Sequence, residues 1–299
     1  NSAAGDNPPV SRFGQAPDAN IDFDFMESTI MRIALIQQRA TNDKAANREK
    51  GLQAAEAAAR QGAKLICFAE LAFEPFYPQE KASGNVADLA ETVPGPTTEA
   101  FASLARKYHT AFVLNLFERD GERTYDTSPV IGGDGRLLGR TRMVHVTDYT
   151  CFHEKGYYAL GDCGAPVYET EFGRIGVAIC YDRHYPEYMR ALALAGAQVV
   201  VIPQAGAVDE WPDGLYEAEM RVAAFQNGYF TALCNRVGKE PKLEFGGESF
   251  VCDPDGRVIA RAGKGREETL FCDLDLSIIE RSHAKKLFLR DRRPELYDK

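Results

Sequence analysis

Cys180 and Glu70 are the two residues whose settings could do chemistry. Cys180 closes a short β-branched run, Ile175 to Ile179, that follows Gly173, and it opens the polar stretch Tyr181-Asp-Arg-His-Tyr-Pro-Glu187. The run reads as a buried strand, and Pro186 suits the first turn of a helix because proline has no N–H to lose there. A thiol at such a strand-to-helix corner sits near backbone N–H groups and a helix N-terminus, which favour the nucleophilic thiolate. Free cysteines are often simply buried; the crowd of Asp182, Arg183, His184 and Glu187 argues for a site. Glu70 ends a second apolar run, Lys64-Leu-Ile-Cys-Phe-Ala69, and precedes Leu-Ala-Phe-Glu-Pro-Phe-Tyr. A carboxylate at the end of a buried strand should have a raised pKa, which suits a general base working near neutrality.

The elements that must position these residues alternate. Strands are expected at Arg32–Gln37, Lys64–Ala69, Ala111–Phe117, Gln198–Ile202, Tyr229–Cys234 and Thr269–Asp275, and helices at Lys44–Arg60, Thr97–Tyr108, Glu187–Ala195 and Asp213–Asn227. Two hairpins are expected around Gly133-Asp-Gly135 and Asp253-Pro-Asp-Gly256. Residues 143–166 form a long aromatic and polar loop containing Glu154, of the kind that usually carries function. The tail from Ser277 is expected to be helical and then basic. This pattern implies an α/β protein in which sheets are covered by helices. Residues 1–25 read as an extension or a cloning remnant, and 26–299 as one domain.

The 299-residue chain has 44% hydrophobic and 26% charged residues, ordinary values for a globular enzyme. A net charge of −9 argues against nucleic acid as a partner. No stretch has membrane-spanning length without charges. Seven cysteines without a CxxC pair suggest neither a disulfide framework nor a metal site, and place the chain in a reducing cytoplasm.

Five segments taken in order carry a resemblance: Phe-Ala-Glu70-Leu, Arg142-x-x-His145, Glu154-Lys-Gly-Tyr-Tyr, Ile-Cys180-Tyr-Asp-Arg-His-Tyr-Pro-Glu and Asn235-Arg-Val-Gly. From about Met31 to Tyr297 the chain resembles the nitrilase superfamily of carbon–nitrogen hydrolases, nearest to the N-carbamoyl amide hydrolases of β-ureidopropionase type. The resemblance implies a four-layer αββα sandwich, a homodimer or higher homo-oligomer, a small-molecule substrate and no cofactor. It implies Cys180 as nucleophile, Glu70 as general base, Glu154 as auxiliary glutamate and the Tyr181 N–H as oxyanion donor. Arg183 and His184 fall where a basic residue would bind a substrate carboxylate. One position departs from the pattern: Met143 stands where the family has its catalytic lysine. Arg142 and His145 are then the alternative donors. A weakened binding protein and a nitrile-directed enzyme of the same superfamily are the alternatives to an N-carbamoyl or amide hydrolase.

Overall fold

The computed structural model describes residues 30–297, so the expectation for residues 1–25 lies outside the described part. The first half of the chain supplies strands β1 (Ile30–Gln37), β2 (Leu65–Phe68), β3 (Ala111–Val113), β4 (Leu116–Asp120), β5 (Arg123–Ile131) and β6 (Leu137–Arg142). The second half supplies β7 (Val167–Thr170), β8 (Gly173–Val177), β9 (Val199–Gln204) and β10 (Phe230–Asn235). A small hairpin, β11 (Val237–Lys239) and β12 (Glu244–Gly246), follows, then β13 (Phe250–Cys252), β14 (Val258–Arg261) and β15 (Glu268–Asp275). One sheet has the order β15-β1-β2-β3-β5-β4, with β6 also on β5, and the other β14-β13-β10-β9-β8-β7. The centre of each is parallel: β1, β2 and β3 in one, β8, β9 and β10 in the other.

The sheets face each other across one apolar layer. Ile33, Leu35, Cys67 and Val113 meet Ile175, Val177, Val199, Val201 and Ala232 there, all fully buried. Helices α1 (Lys44–Arg60) and α2 (Pro96–Tyr108) cover the outer face of the first sheet, burying Ala55, Ala58, Phe101 and Ala105 against Ile66, Phe68 and Phe112. Helices α3 (Pro186–Leu194) and α4 (Leu215–Asn227) cover the second, with Met189, Leu192 and Met220 on Val200 and Ile202. Because β2 and β9 are apolar on both faces, each can be covered by helices outside and by the other sheet inside. The αββα order expected from the resemblance is therefore the observed one. The Asp43 side chain caps α1 by accepting from Ala46 N at 2.9 Å. Gly51 lets that helix approach the sheet, since a Cβ there would lie 2.7 Å from the Phe73 ring.

Both expected hairpins form, as β5–β6 and β13–β14. The strand expected over 111–117 is interrupted at Leu114 and Asn115, giving β3 and β4, which both run against β5. Asn115 is fully buried and bonds sideways, to Leu71 N at 2.7 Å, Asp126 at 2.6 Å and Ser128 at 3.1 Å. The tail departs from a continuous helix and runs as short turns, Leu276–Arg281 and Ala284–Phe288, before a final turn at Pro294–Tyr297.

Candidate active site

The site lies where the parallel strands of both sheets end. Glu70 sits two residues beyond β2, and Cys180 three residues beyond β8 at the head of a 3-10 turn, Cys180–His184. The carboxyl ends of parallel strands leave room for such sites because neighbouring connections diverge there. Backbone strain marks both corners: Cys180 has φ +43° and Leu71 has φ +44°, left-handed values that side chains other than glycine rarely adopt. The strain at Leu71 is held by the Asn115 bond to its N–H, and Arg236, fully buried, donates to the Glu70 carbonyl at 2.9 Å.

The Glu70 carboxyl and the Cys180 sulfur lie close enough for each to shift the other's proton affinity. Burial, and then the charge of Glu154, push the Glu70 carboxyl up to about 7. The thiol is also pushed well above its ordinary value, first by burial and then by the Glu70 charge. Burial among carboxylates outweighs the helix terminus and N–H groups and favours the protonated thiol.

Asp126, on β5, is a participant that sequence reasoning missed. Neither Glu70 oxygen nor Asp126 Oδ2 has an N–H or hydroxyl partner among the described residues, yet the two carboxyl groups face each other. Two carboxyls can meet only through a proton. Asp126, raised by burial and by the Glu70 charge, is the member that carries it and donates to Glu70. Glu154 occupies a turn in the long loop, 1% exposed, with Oε2 accepting from Thr147 N at 3.0 Å. Burial raises its carboxyl too.

Met143 is buried in the same apolar cluster as Ala69, Ile179 and Cys180, and it brings no donor. Lys155, which follows Glu154, is exposed. Arg142 is spent elsewhere: its guanidinium bonds Glu118 at 2.9 Å, Asp120 at 2.5 Å and Asp162 at 3.0 Å, and it covers the Tyr125 ring. His145 is fixed through Nδ1 to Asp182 at 2.7 Å and stacks on Tyr185 at 3.5 Å. Asp182 also accepts from His145 N at 2.9 Å, so this pair ties the long loop to the turn that carries Cys180 and Tyr181. The donor that does reach the sulfur is Gln204, at the end of β9, with Nε2 3.2 Å from Sγ. A polar residue closing the apolar run Val199–Pro203 was the sequence signal for it.

Arg183 is largely buried and mostly bonded within the protein, but its Nη2 has no partner among the described residues. It is 4% exposed and donates to Cys180 O at 2.8 Å, Gln204 Oε1 at 2.9 Å and Glu219 at 3.1 Å, with its face on the Tyr216 ring. It pairs with Glu219 of α4, a partner 36 residues away, and that distance hid it. His184 bonds the same glutamate through Nδ1, and its Nε2 has no partner among the described residues. The His184 ring meets Trp211 edge-on at 5.3 Å, and the Trp211 Nε1 is likewise unpartnered among the described residues. Trp211 and Pro212 also line a cavity of about 360 Å³ with Tyr216, Asn235, Glu248 and Lys264. Glu210, another missed residue, is held there by Tyr149 OH, Tyr216 OH and Ala207 N.

A base, a thiol within its reach and two further buried carboxyl groups, framed by an αββα sandwich, define a thiol-dependent hydrolase of amide-like bonds. The carbon–nitrogen hydrolase family profile matches residues 32–284, and the chain belongs to that family, the nitrilase superfamily. It is 32% identical over 285 residues to an N-carbamoylputrescine amidase of Solanum lycopersicum, covering 91% of this chain and 95% of that protein. A carbon–nitrogen hydrolase from Helicobacter pylori superposes with a TM-score of 0.84 at 28% identity, covering 90% of this chain and 97% of that one. An amidase from Nesterenkonia sp. superposes with a TM-score of 0.76 at 28% identity over 90% of this chain and 95% of that one. The latter carries, in one mutant, the acetamide moiety of fluoroacetamide added covalently to its active-site cysteine. No helix among the described residues is long and apolar enough to cross a membrane.

Proposed function

We propose that this carbon–nitrogen hydrolase cleaves an N-carbamoyl compound or a small carboxylated amide through a thioester on Cys180. The observation that carries the reading is the Cys180 sulfur beside a fully buried Glu70 carboxyl whose pKa is pushed up to about 7. Glu70 takes the thiol proton, the sulfur electron pair adds to the carbonyl carbon, and the carbonyl pair moves to oxygen, toward the Tyr181 N–H. The protonated Glu70 then gives its proton to the departing amine or ammonia. Water, activated by Glu70, cleaves the thioester. Glu154 orients the substrate nitrogen. The likeness to an N-carbamoylputrescine amidase supports the carbamoyl class. The unpartnered donors Arg183 Nη2, His184 Nε2 and Trp211 Nε1 are the groups we assign to a charged substrate end. Ammonia release from a panel of N-carbamoyl acids, amides and nitriles tests this reading; activity confined to nitriles would overturn it.

The base must be ionised to act, so activity is present above about pH 7 and is lost as pH falls through the Glu70 pKa. Met143→Lys places a cation in a cluster of carboxylates. It should shift this acid limb to lower pH and raise kcat by about 10-fold or more. A pH–rate profile reads both, and a fall in kcat would mean a site rebuilt around the thioether.

We further read residues 26–299 as one domain working as a homo-oligomer in a reducing cytoplasm. All seven thiols are free, which fits that compartment. The groove between α3 and α4 supports oligomerisation: Val222 is 51% exposed there, and Arg190 Nη1 and Asn227 Oδ1 are buried without partners among the described residues. Sedimentation should give a dimer or larger species, and Val222→Asp should dissociate it; a native monomer by sedimentation rules the reading out.

A further inference from the structure

Gln204 lies at the junction of three buried groups, and its geometry has a direction. Its Oε1 accepts from Arg183 Nη1 at 2.9 Å. A guanidinium has donors only, so the oxygen must face it, and the NH2 must face the sulfur 3.2 Å away. Arg183 cannot release the amide easily. It is pinned by Glu219 at 3.1 Å, by the Cys180 carbonyl at 2.8 Å and by the Tyr216 ring at 4.6 Å. Glu219, Arg183, Gln204 and Cys180 thus form one chain of hydrogen bonds running from α4 through β9 to the nucleophile.

The charges facing the sulfur make a donor there necessary. Glu70 beyond β2, Glu154 in the long loop and Glu210 beyond β9 all disfavour negative charge on Cys180, and of the largest influences Arg183 favours it. Met143 adds nothing to that side of the balance. When Glu70 takes the thiol proton, the electron pair stays on sulfur amid these carboxylates.

We propose that the Gln204 side-chain amide is a catalytic hydrogen-bond donor to the Cys180 sulfur, oriented by Arg183, and that it stabilises the thiolate where Met143 supplies no cation. The proposal rests on the reading of Cys180 as nucleophile. Gln204 keeps its bond while the sulfur is negative, and gives it up as the S–C bond forms and charge passes to the carbonyl oxygen. Arg183 is a positioning residue: it fixes which end of the amide the sulfur meets, and its charge acts on the sulfur through that amide and the Cys180 carbonyl.

The test is the pH dependence of iodoacetamide alkylation at Cys180, located among the seven cysteines by peptide mass spectrometry, together with kcat and KM from ammonia release. Gln204→Leu should slow alkylation of Cys180 at neutral pH about 10-fold, by shifting its profile to higher pH. It should lower kcat about 10- to 100-fold with KM changed less than about 3-fold. Gln204→Glu keeps the shape and the Arg183 bond but turns an acceptor toward sulfur, so it serves if the leucine variant does not fold. Its loss should be at least as large. Arg183→Lys should show the alkylation shift in weaker form. Wild-type alkylation profiles and kcat in both Gln204 variants overturn the proposal. Cys180→Ala separates the two failures. If that variant still turns over, the nucleophile reading has failed; if it is dead while the Gln204 variants are normal, only the role of Gln204 has failed.

Discussion

Cys180→Ala is expected to lower kcat by on the order of 10⁴-fold or more while the protein still folds. The sulfur is the group at the site placed to form a bond to substrate carbon with a base beside it. Its removal leaves Glu70 and Glu154 able to bind and polarise, but with nothing to acylate. The fold should tolerate the change, because the side chain is small and its local backbone is fixed independently by Arg183 on the Cys180 carbonyl. Alanine at φ +43° carries the same strain as cysteine. Ammonia release and mass spectrometry together make the check: wild type should show a transient adduct on the peptide containing Cys180, and the variant none. Residual turnover within about 10-fold of wild type would remove Cys180 from the mechanism.

Glu70→Gln is expected to cost about 10²- to 10⁴-fold in kcat. Glutamine has the same shape and can still meet Asp126, yet it cannot take a proton from sulfur or from water. With the base gone, the thiol, itself held protonated by burial, has no route to the thiolate. The acid limb near pH 7 should disappear from the residual activity, since its source has been removed. The neighbouring Asp126 separates donor from base: asparagine there keeps an N–H for Glu70, whereas alanine removes the proton that lowers its pKa. Asp126→Asn should therefore leave the limb near its place, and Asp126→Ala should move it to higher pH. Steady-state rates across the pH range report both, and an unchanged limb in Glu70→Gln would mean that another group is the base.

Much of this site was legible because its two reactive residues each close a short apolar run. Cys180 after Ile175–Ile179 and Glu70 after Leu65–Ala69 are where period and polarity change together, which is how a strand end looks in a sequence. The parts that escaped are those whose meaning depends on distant partners. Asp126 lies in Thr124-Tyr-Asp-Thr-Ser128, a polar run that gives no apolar alternation, yet the whole of it is buried and held by Asn115 and Glu118. Arg183 reads as a substrate ligand because it follows the nucleophile closely; its bonds to Glu219 and Gln204, 36 and 21 residues away, show that it is also part of the frame. The balance of groups acting on the Cys180 proton was hidden for a related reason. A helix terminus can be read from Pro186, but the three carboxylates that outweigh it come from separate loops.

The buried acids leave a mark on the whole molecule's thermodynamics. Glu70, Glu74, Asp126, Glu154 and Asp182 all have carboxyls raised by burial. Each folded pKa lies above its unfolded value, so the native chain binds more protons, and its stability falls as pH rises through that window. For Glu70, between 4.5 and about 7, the loss amounts to roughly 3 kcal/mol once the window is passed. Exposed carboxylates with lowered values, such as Glu56 and Asp273, act in the opposite sense only at more acid pH. Melting temperature should therefore rise on mild acidification from neutrality, and the Glu70→Gln protein should melt higher than wild type at neutral pH. The ionised base that performs the reaction is thus also a standing strain on the native state, greatest at the pH where the enzyme works best.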